Sequence, residues 1–326
     1  MKIPTGDLDL LAIGETLVDF ISVEETDWLR NAYTFRKYQG GSPANIAVYV
    51  AKLGGKAAVV SKTGIGAMGQ FLKAELGRAG VVTDYLVMDH TVHSSVIFVS
   101  RTSRTADFEA FRSGDYQLEP KEISQEAIDR ARVVHASTWA LSRESCRSAV
   151  EHAFSLAREQ GKIISLDPNY SPQIWPDYRE AMEVMPRMLG YATITKPSLD
   201  DASRLFGRDR KPEEYIERFH EMGPEIVVFT MGAEGVLLSE GGNPIHIPAR
   251  PVKAVDATGA GDSFWAGFLV ALLDGNPAEQ CVHFAREIVE RKLKTVGPLP
   301  DSIDRQEIYD VIGATGQKDG EKEPGS

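Results

Sequence analysis

Cysteine is nearly absent. Only Cys146 and Cys281 occur in 326 residues, far apart and with no neighbouring Cys-x-x-Cys or His-rich tract. This excludes a disulfide framework and a zinc site, and both thiols are expected to be reduced and buried. Basic charge is also in deficit: 36 Lys and Arg against 47 Asp and Glu leave a formal net charge of -11. A nucleic acid or an anionic membrane surface needs a basic footprint, so neither is an expected partner and a small molecule fits better. Long apolar runs are missing too. The longest, Trp265–Leu273, is far too short to span a bilayer, and the opening MKIPTGDLDL has no signal-peptide core, so a cytoplasmic location is expected. The remaining composition, 42% hydrophobic and 25% charged, is that of an ordinary globular chain.

What is present alternates. LDLLAI (8–13), AAVVSKT (57–63), VVHAS (133–137), KIISLD (162–167), ATITK (192–196) and EIVVFT (225–230) are short apolar runs that read as buried strands. Between them lie stretches with helical spacing, such as SRESCRSAVEHAFSLAREQG and PEEYIERFHEMG, most of which stop at a glycine. Strand and helix in alternation predict a doubly wound, mostly parallel sheet with helices on both faces. Residues 15–40 and 92–114 alternate with period two instead, and predict a small β-sheet projecting from a core made of 1–14, 41–91 and 115–312. The tail 313–326 lacks apolar residues and is expected to be disordered.

Three glycine-rich turns compete for a functional reading. GIGAMG (64–69) satisfies G-x-G-x-x-G after a strand and before a helix, with Asp84 further on, as a dinucleotide site requires. A strand and a whole helix precede it, however, whereas the dinucleotide fingerprint sits on the first strand; a tight strand-to-helix crossover explains it as well. VDATGAGDSFWAGF (255–268) opens a helix with glycines, leaving backbone N–H groups aimed outward at the positive end of the helix dipole. That suits a phosphate, yet the P-loop lysine is absent and Asp262 follows directly. Asp262 reads either as a cap of the helix or as a general base that takes the proton of an attacking hydroxyl. On the second reading the amides of Gly259, Ala260 and Gly261 stabilise the transferred phosphoryl group. GGSPANIAVYVAKLGG, beginning at Gly40, is a third glycine entrance, with Asn45 on its first turn. An amide side chain beside bare backbone suits hydroxyl recognition; a tight turn with a polar cap is the plain alternative.

The last two stretches, at opposite ends of the chain and in this order, resemble the signature motifs of the ribokinase-like (PfkB) family of ATP-dependent sugar kinases. GETLVDF (14–20), DPN (167–169) and TMGAEGVLL (230–238) fall where that family has comparable motifs. The resemblance implies a ribokinase-like fold whose small projecting sheet acts as a lid, with Asp262 as catalytic base and the 259–261 amides as anion hole. It implies that Asp19 and Asn45, with backbone at Gly40 and Gly41, bind the sugar. Ser198, Thr230, Gly232 and Gly235 then fall at the ATP site. Asp256 and Thr258, with carbonyls near Thr295–Gly297, match a monovalent cation site, usually for K⁺, and Mg²⁺ travels with ATP. The family's N-x-x-E becomes Ser198-x-x-Asp201 here, which leaves Asp201 to reach Mg²⁺ through water. An Asp usual in the family at position 66 is Gly66, and an Arg common after DPN in fructokinases is Ser171, for whose charge Arg112 is the substitute.

FRSGDYQL (111–118) and DPNYSPQIW (167–175) look most like fructokinases and 2-keto-3-deoxygluconate kinases. A keto acid needs a buried cationic partner; of the lid's Arg101, Arg104 and Arg112, only Arg112 follows an apolar segment. Asp19 and Asn45 suit a neutral sugar, so D-fructose is the expected substrate. The readings from other classes are an NAD-dependent oxidoreductase through 64–69, which leaves 255–268 idle, and a sugar-binding regulator, which has no use for Asp262. The apolar alternation of the lid also predicts pairing with a second copy.

Overall fold

The computed structural model describes residues 1–102, 106–297, 299 and 302–313. Arg104 and residues 314–326 of the expected tail lie outside the described residues.

Two sheets organise the chain. Its strands, in order, are β1 (Leu8–Ile13), β2 (Leu17–Glu25), β3 (Phe35–Gly40), β4 (Ala57–Gly64), β5 (Leu86–Asp89), β6 (Val96–Arg101), β7 (Phe108–Phe111), β8 (Ala131–Ser137), β9 (Ile163–Asp167), β10 (Ile194–Thr195), β11 (Ile226–Thr230), β12 (Val236–Ser239) and β13 (Ile245–Ile247). The large sheet runs β13-β12-β11-β10-β9-β8-β1-β4-β5, parallel from β11 to β5, with β12 and β13 antiparallel at one edge. Alternate side chains of β1 enter different cores. Leu10 and Ala12 belong to the core that includes helices Ser42–Lys52 and Ala260–Leu273, and Leu11 and Ile13 to the core on the other face that includes helix Cys146–Glu159. Burial on both faces is why these strands read as continuous apolar runs.

The small sheet, β3-β2-β6-β7, is assembled from the two segments that broke the strand-helix rhythm. Period two sorts its side chains. Leu17, Ile21, Ile97 and Val99 form a core facing the large domain. Phe20, Phe35, Phe98 and Phe111 cluster on the opposite face, Phe20 stacked on Phe98 at 5.1 Å between ring centroids. That outer face is where the expected pairing with a second copy would rest.

The chain leaves β1 for β4 on one side and returns to β8 on the other, so the strand order reverses between β1 and β8. In open α/β sheets a crevice forms there, at the carboxyl ends of the strands. Glu15 follows β1, Trp139 follows β8, Asp167 ends β9 and Lys196 follows β10. All four line one cleft, together with Leu17, Asp19, Ile97 and Val99 of the small sheet.

Candidate active site

The cleft is a cavity of about 300 Å³ whose floor is the turn Ala257–Asp262. Gly259 takes a left-handed conformation, φ 72°, and caps the helix Ala260–Leu273. From Ser263 to Leu273 that helix is buried on all sides, and this packed body anchors the turn at its start. Asp262 projects from this turn between two donors of helix Ser42–Lys52. Ser42 Oγ donates to its Oδ1 at 2.8 Å and Asn45 Nδ2 to its Oδ2 at 2.9 Å. Burial raises the Asp262 pKa, and the Asn45 and Ser42 hydrogen bonds oppose the rise.

The anion hole differs in detail from the expected one. Ala260 N–H donates to the Ala257 carbonyl at 3.1 Å, so this amide is already engaged in the turn. The amides of Gly259, Gly261 and Asp262 have no acceptor among the described residues. A Cβ at Gly261 would meet only Lys196 Nζ, at 3.6 Å.

Lys196 is the residue that sequence reasoning missed. The glycine turn has no lysine beside it in sequence, but the end of β10 supplies one in space. Its Nζ is 2.9 Å from Asp167 Oδ2 with both side chains buried. Burial opposes its charge, but Asp167, Asp201 and Asp262 outweigh that and raise the Lys196 pKa. The available signal was ATITK, a lysine closing a buried strand. Glu15 was missed as well. It is buried, accepts from Ser137 Oγ at 3.0 Å and from Ser42 N at 3.2 Å, and burial lifts its pKa to about 8.

Asp19 reaches the cleft from strand β2 of the small sheet. Burial, and next the charge of Asp262, raise its pKa to about 7. Gly40, expected to offer backbone to a sugar, has another role: a Cβ there would overlap the Asp19 carboxylate. Gly41, at φ 98°, has its own constraint, since a Cβ would strike the Glu15 carbonyl. Asn45, expected on a sugar hydroxyl, is clamped between Asp262 and Gln39, whose Nε2 donates to Asn45 Oδ1 at 3.2 Å.

Three expectations are corrected. Arg112 does not line the cleft: its Nε donates to buried Asp115 at 2.7 Å and its Nη1 to Ser142 at 2.6 Å, so its charge is neutralised within the protein. Ser198 and Asp201 form a reciprocal cap at the start of helix Leu199–Phe206. Asp201 accepts from Ser198 N and Oγ and from Tyr170 N, so both of its carboxylate oxygens have partners within the cap and the neighbouring turn. The oxygens expected to hold a monovalent cation face an ammonium instead. Lys292 Nζ lies 3.1 Å from the Asp256 carbonyl, 3.5 Å from the Thr295 carbonyl and 3.7 Å from Asp256 Oδ2, so the site does not fit K⁺. At 64–69, a Cβ on Gly69 would overlap the Gly64 carbonyl, so that glycine serves the crossover from β4 into helix Ala67–Arg78.

Thr230 and Ser198 are brought together by a parallel bridge at the ends of β10 and β11, and Thr230 N donates to the Pro197 carbonyl at 2.9 Å. Gly232, at φ 58°, has open space around it, whereas a Cβ on Gly235 would strike the Ile247 carbonyl. Thr258 N donates to Asp256 Oδ1 at 2.9 Å, shaping the turn's start.

Comparison with known proteins agrees with this architecture. Residues 7–293 match the model of the pfkB family carbohydrate kinases. The chain is 33% identical over 307 residues to an ATP-dependent 6-phosphofructokinase of Thermoanaerobacterium thermosaccharolyticum, covering 93% of this chain and 94% of that protein. It is 31% identical to fructokinase-1 of Oryza sativa subsp. japonica, over 90% of this chain and 95% of the relative. The structure of Halothermothrix orenii fructokinase superposes with a TM-score of 0.76 at 37% identity, covering 89% of this chain and 99% of the other.

Proposed function

Because the chain belongs to the pfkB family of carbohydrate kinases, we propose that it transfers the γ-phosphoryl group of ATP to a hydroxyl of D-fructose, giving fructose 6-phosphate. The observation that carries the substrate is the charge of the cleft. Among its described lining residues Lys196 is the only cation, and Asp167 already holds it. Arg112 is spent on Asp115. Away from the 259–262 amides, at the sugar end of the cleft, a substrate carboxylate or phosphate would be buried without a free cationic partner, which costs several kcal/mol, on the order of 3–5. A neutral sugar needs only acceptors and donors, which Asp19 and the other polar groups lining the cleft supply.

In the proposed reaction the sugar oxygen attacks the γ-phosphorus, its proton passes to Asp262, and the bond to the β-phosphate oxygen breaks as ADP leaves. Ser42 and Asn45 orient the Asp262 carboxylate toward the cleft. The free amides of Gly259, Gly261 and Asp262, with Lys196 beside them, meet the charge on the transferred group. Thr230 and Gly232 lie on the nucleotide side, where Gly232 leaves room for a ligand. Mg²⁺ enters with ATP and neutralises phosphate charge. Among the described residues no group of three or more His, Cys, Asp or Glu is placed to hold a metal. The lid excludes water from the transfer.

One observation favours a second reading. A neighbouring cavity shares Phe108 with the cleft and is lined by Arg112 and Arg143, and one relative is named a 6-phosphofructokinase. Comparing kcat/KM for D-fructose, fructose 6-phosphate and 2-keto-3-deoxygluconate, in the wild type and in Arg143→Ala, decides between them. Fructose is expected to lead by about tenfold or more, with Arg143→Ala within about threefold of wild type. An acidic substrate that leads, and loses its lead on Arg143→Ala, replaces fructose in the account.

A further inference from the structure

The geometry points to Lys292 as a tethered monovalent cation, an ammonium that does from within the chain what a bound K⁺ would do for the phosphoryl-binding turn. Lys292 lies in the last turn of helix Ala278–Leu293, fully buried. An aliphatic helix face needs no charge there, so the ammonium must be accounted for by its acceptors. These are the carbonyls of Asp256 and Thr295 and the carboxylate of Asp256, itself completely buried. The ammonium thus sits among the same kind of oxygens that K⁺ selects, with the same charge and a similar radius.

The cluster is joined to the turn by four further bonds. Gly297 N donates to Asp256 Oδ2 at 2.9 Å, and Val255 N donates to the Leu293 carbonyl at 2.7 Å. Asp256 Oδ1 accepts from Thr258 N, one residue before Gly259, and Ala260 N closes onto the Ala257 carbonyl. Moving Asp256 therefore moves the amides of Gly259, Gly261 and Asp262. Burial draws the Lys292 pKa down, and the charge of Asp256 opposes the loss of its proton. Lys292 is a positioning residue: it touches no substrate, and it acts through Asp256. The inference rests on the 259–262 turn being the phosphoryl site.

The test exchanges the tethered ion for a free one. In the wild-type chain, kcat and melting temperature are expected to be the same, within about twofold in rate, in KCl, NaCl and choline chloride of equal ionic strength. Lys292→Ala leaves a hole lined by the same oxygens. In choline it is expected to lose about tenfold or more in kcat, and KCl or NH₄Cl should restore most of that loss. The same salts should raise the melting temperature of the variant and leave that of the wild type unchanged, a readout that stands even if Asp262 is not the base. Lys292→Ser leaves nearly the same space and serves if the alanine variant does not fold. If neither folds in any salt, the wild-type response alone decides. Activation of the wild type by K⁺, or a loss in the variants that no monovalent cation repairs, or no loss at all, overturns the inference.

Discussion

The two glycine entrances that face each other across the cleft look alike in sequence, yet their glycines serve opposite ends. At Gly40 and Gly41 the missing side chains are occupied by the protein itself: the Asp19 carboxylate lies where one Cβ would be and the Glu15 carbonyl where the other would be. At Gly259 and Gly261 a Cβ would meet nothing nearer than Tyr49 Oη at 3.8 Å and Lys196 Nζ at 3.6 Å. The first pair makes room for a carboxylate and a carbonyl of the chain itself; the second leaves room for something the chain does not contain. A glycine pattern by itself does not separate packing from binding. The atom that would collide does.

Single methyl groups put this contrast to the test. Gly261→Ala has no positive φ to strain and only ordinary contact with Lys196, so its melting temperature should hold. Its methyl intrudes on the phosphoryl position, and kcat is expected to fall about 10²–10³-fold, the cost of losing one anion-hole donor. Gly40→Ala should do the reverse, destabilising by about 1–3 kcal/mol through overpacking and raising the KM for sugar as Asp19 is displaced, with a smaller effect on kcat. If both variants lose stability alike, or both lose only kcat, the distinction between the entrances fails.

The smallest expected effect is a pH dependence at Asp19. With its pKa raised to about 7, the folded chain keeps a proton that the unfolded chain has released above the ordinary value of 3.8. Stability attributable to this group is therefore present at low pH and lost as pH rises through that window. Asp19→Asn removes the dependence. At pH 8 it should melt higher than wild type by roughly a few degrees, and below about pH 4 the two should coincide. Thermal melts across pH check this; equal stability at pH 8 would show that the Asp19 charge carries no burial penalty, against the prediction.

Much of this was legible beforehand, for reasons that can be named. Strands buried on both faces leave apolar runs, helices that end on glycine leave punctuation, and the lid's period two sorts Ile97 and Val99 from Phe98. The glycine turn with Asp262 was equally visible, because a helix entrance is a local object. What could not be read were the partners. Lys196 and Lys292 look in sequence like solvated lysines, and their carboxylates lie in other elements, Asp256 being 36 positions before Lys292. Arg112 looked available because its neutralising partner, Asp115, is an ordinary acid in a polar stretch. Ser198 and Asp201 matched a ligand motif and a helix cap equally well, and three hydrogen bonds to Asp201 favour the cap.

The most direct test of the open entrance is Asp262→Asn, read by turnover and by calorimetric binding of D-fructose side by side. Asparagine keeps the shape of the side chain but cannot accept the proton of the attacking hydroxyl. The expected result is a fall in kcat of about 10²–10⁴-fold with the sugar Kd within about threefold of wild type. A variant that keeps more than about a tenth of wild-type kcat would remove Asp262 from the chemistry and contradict the account.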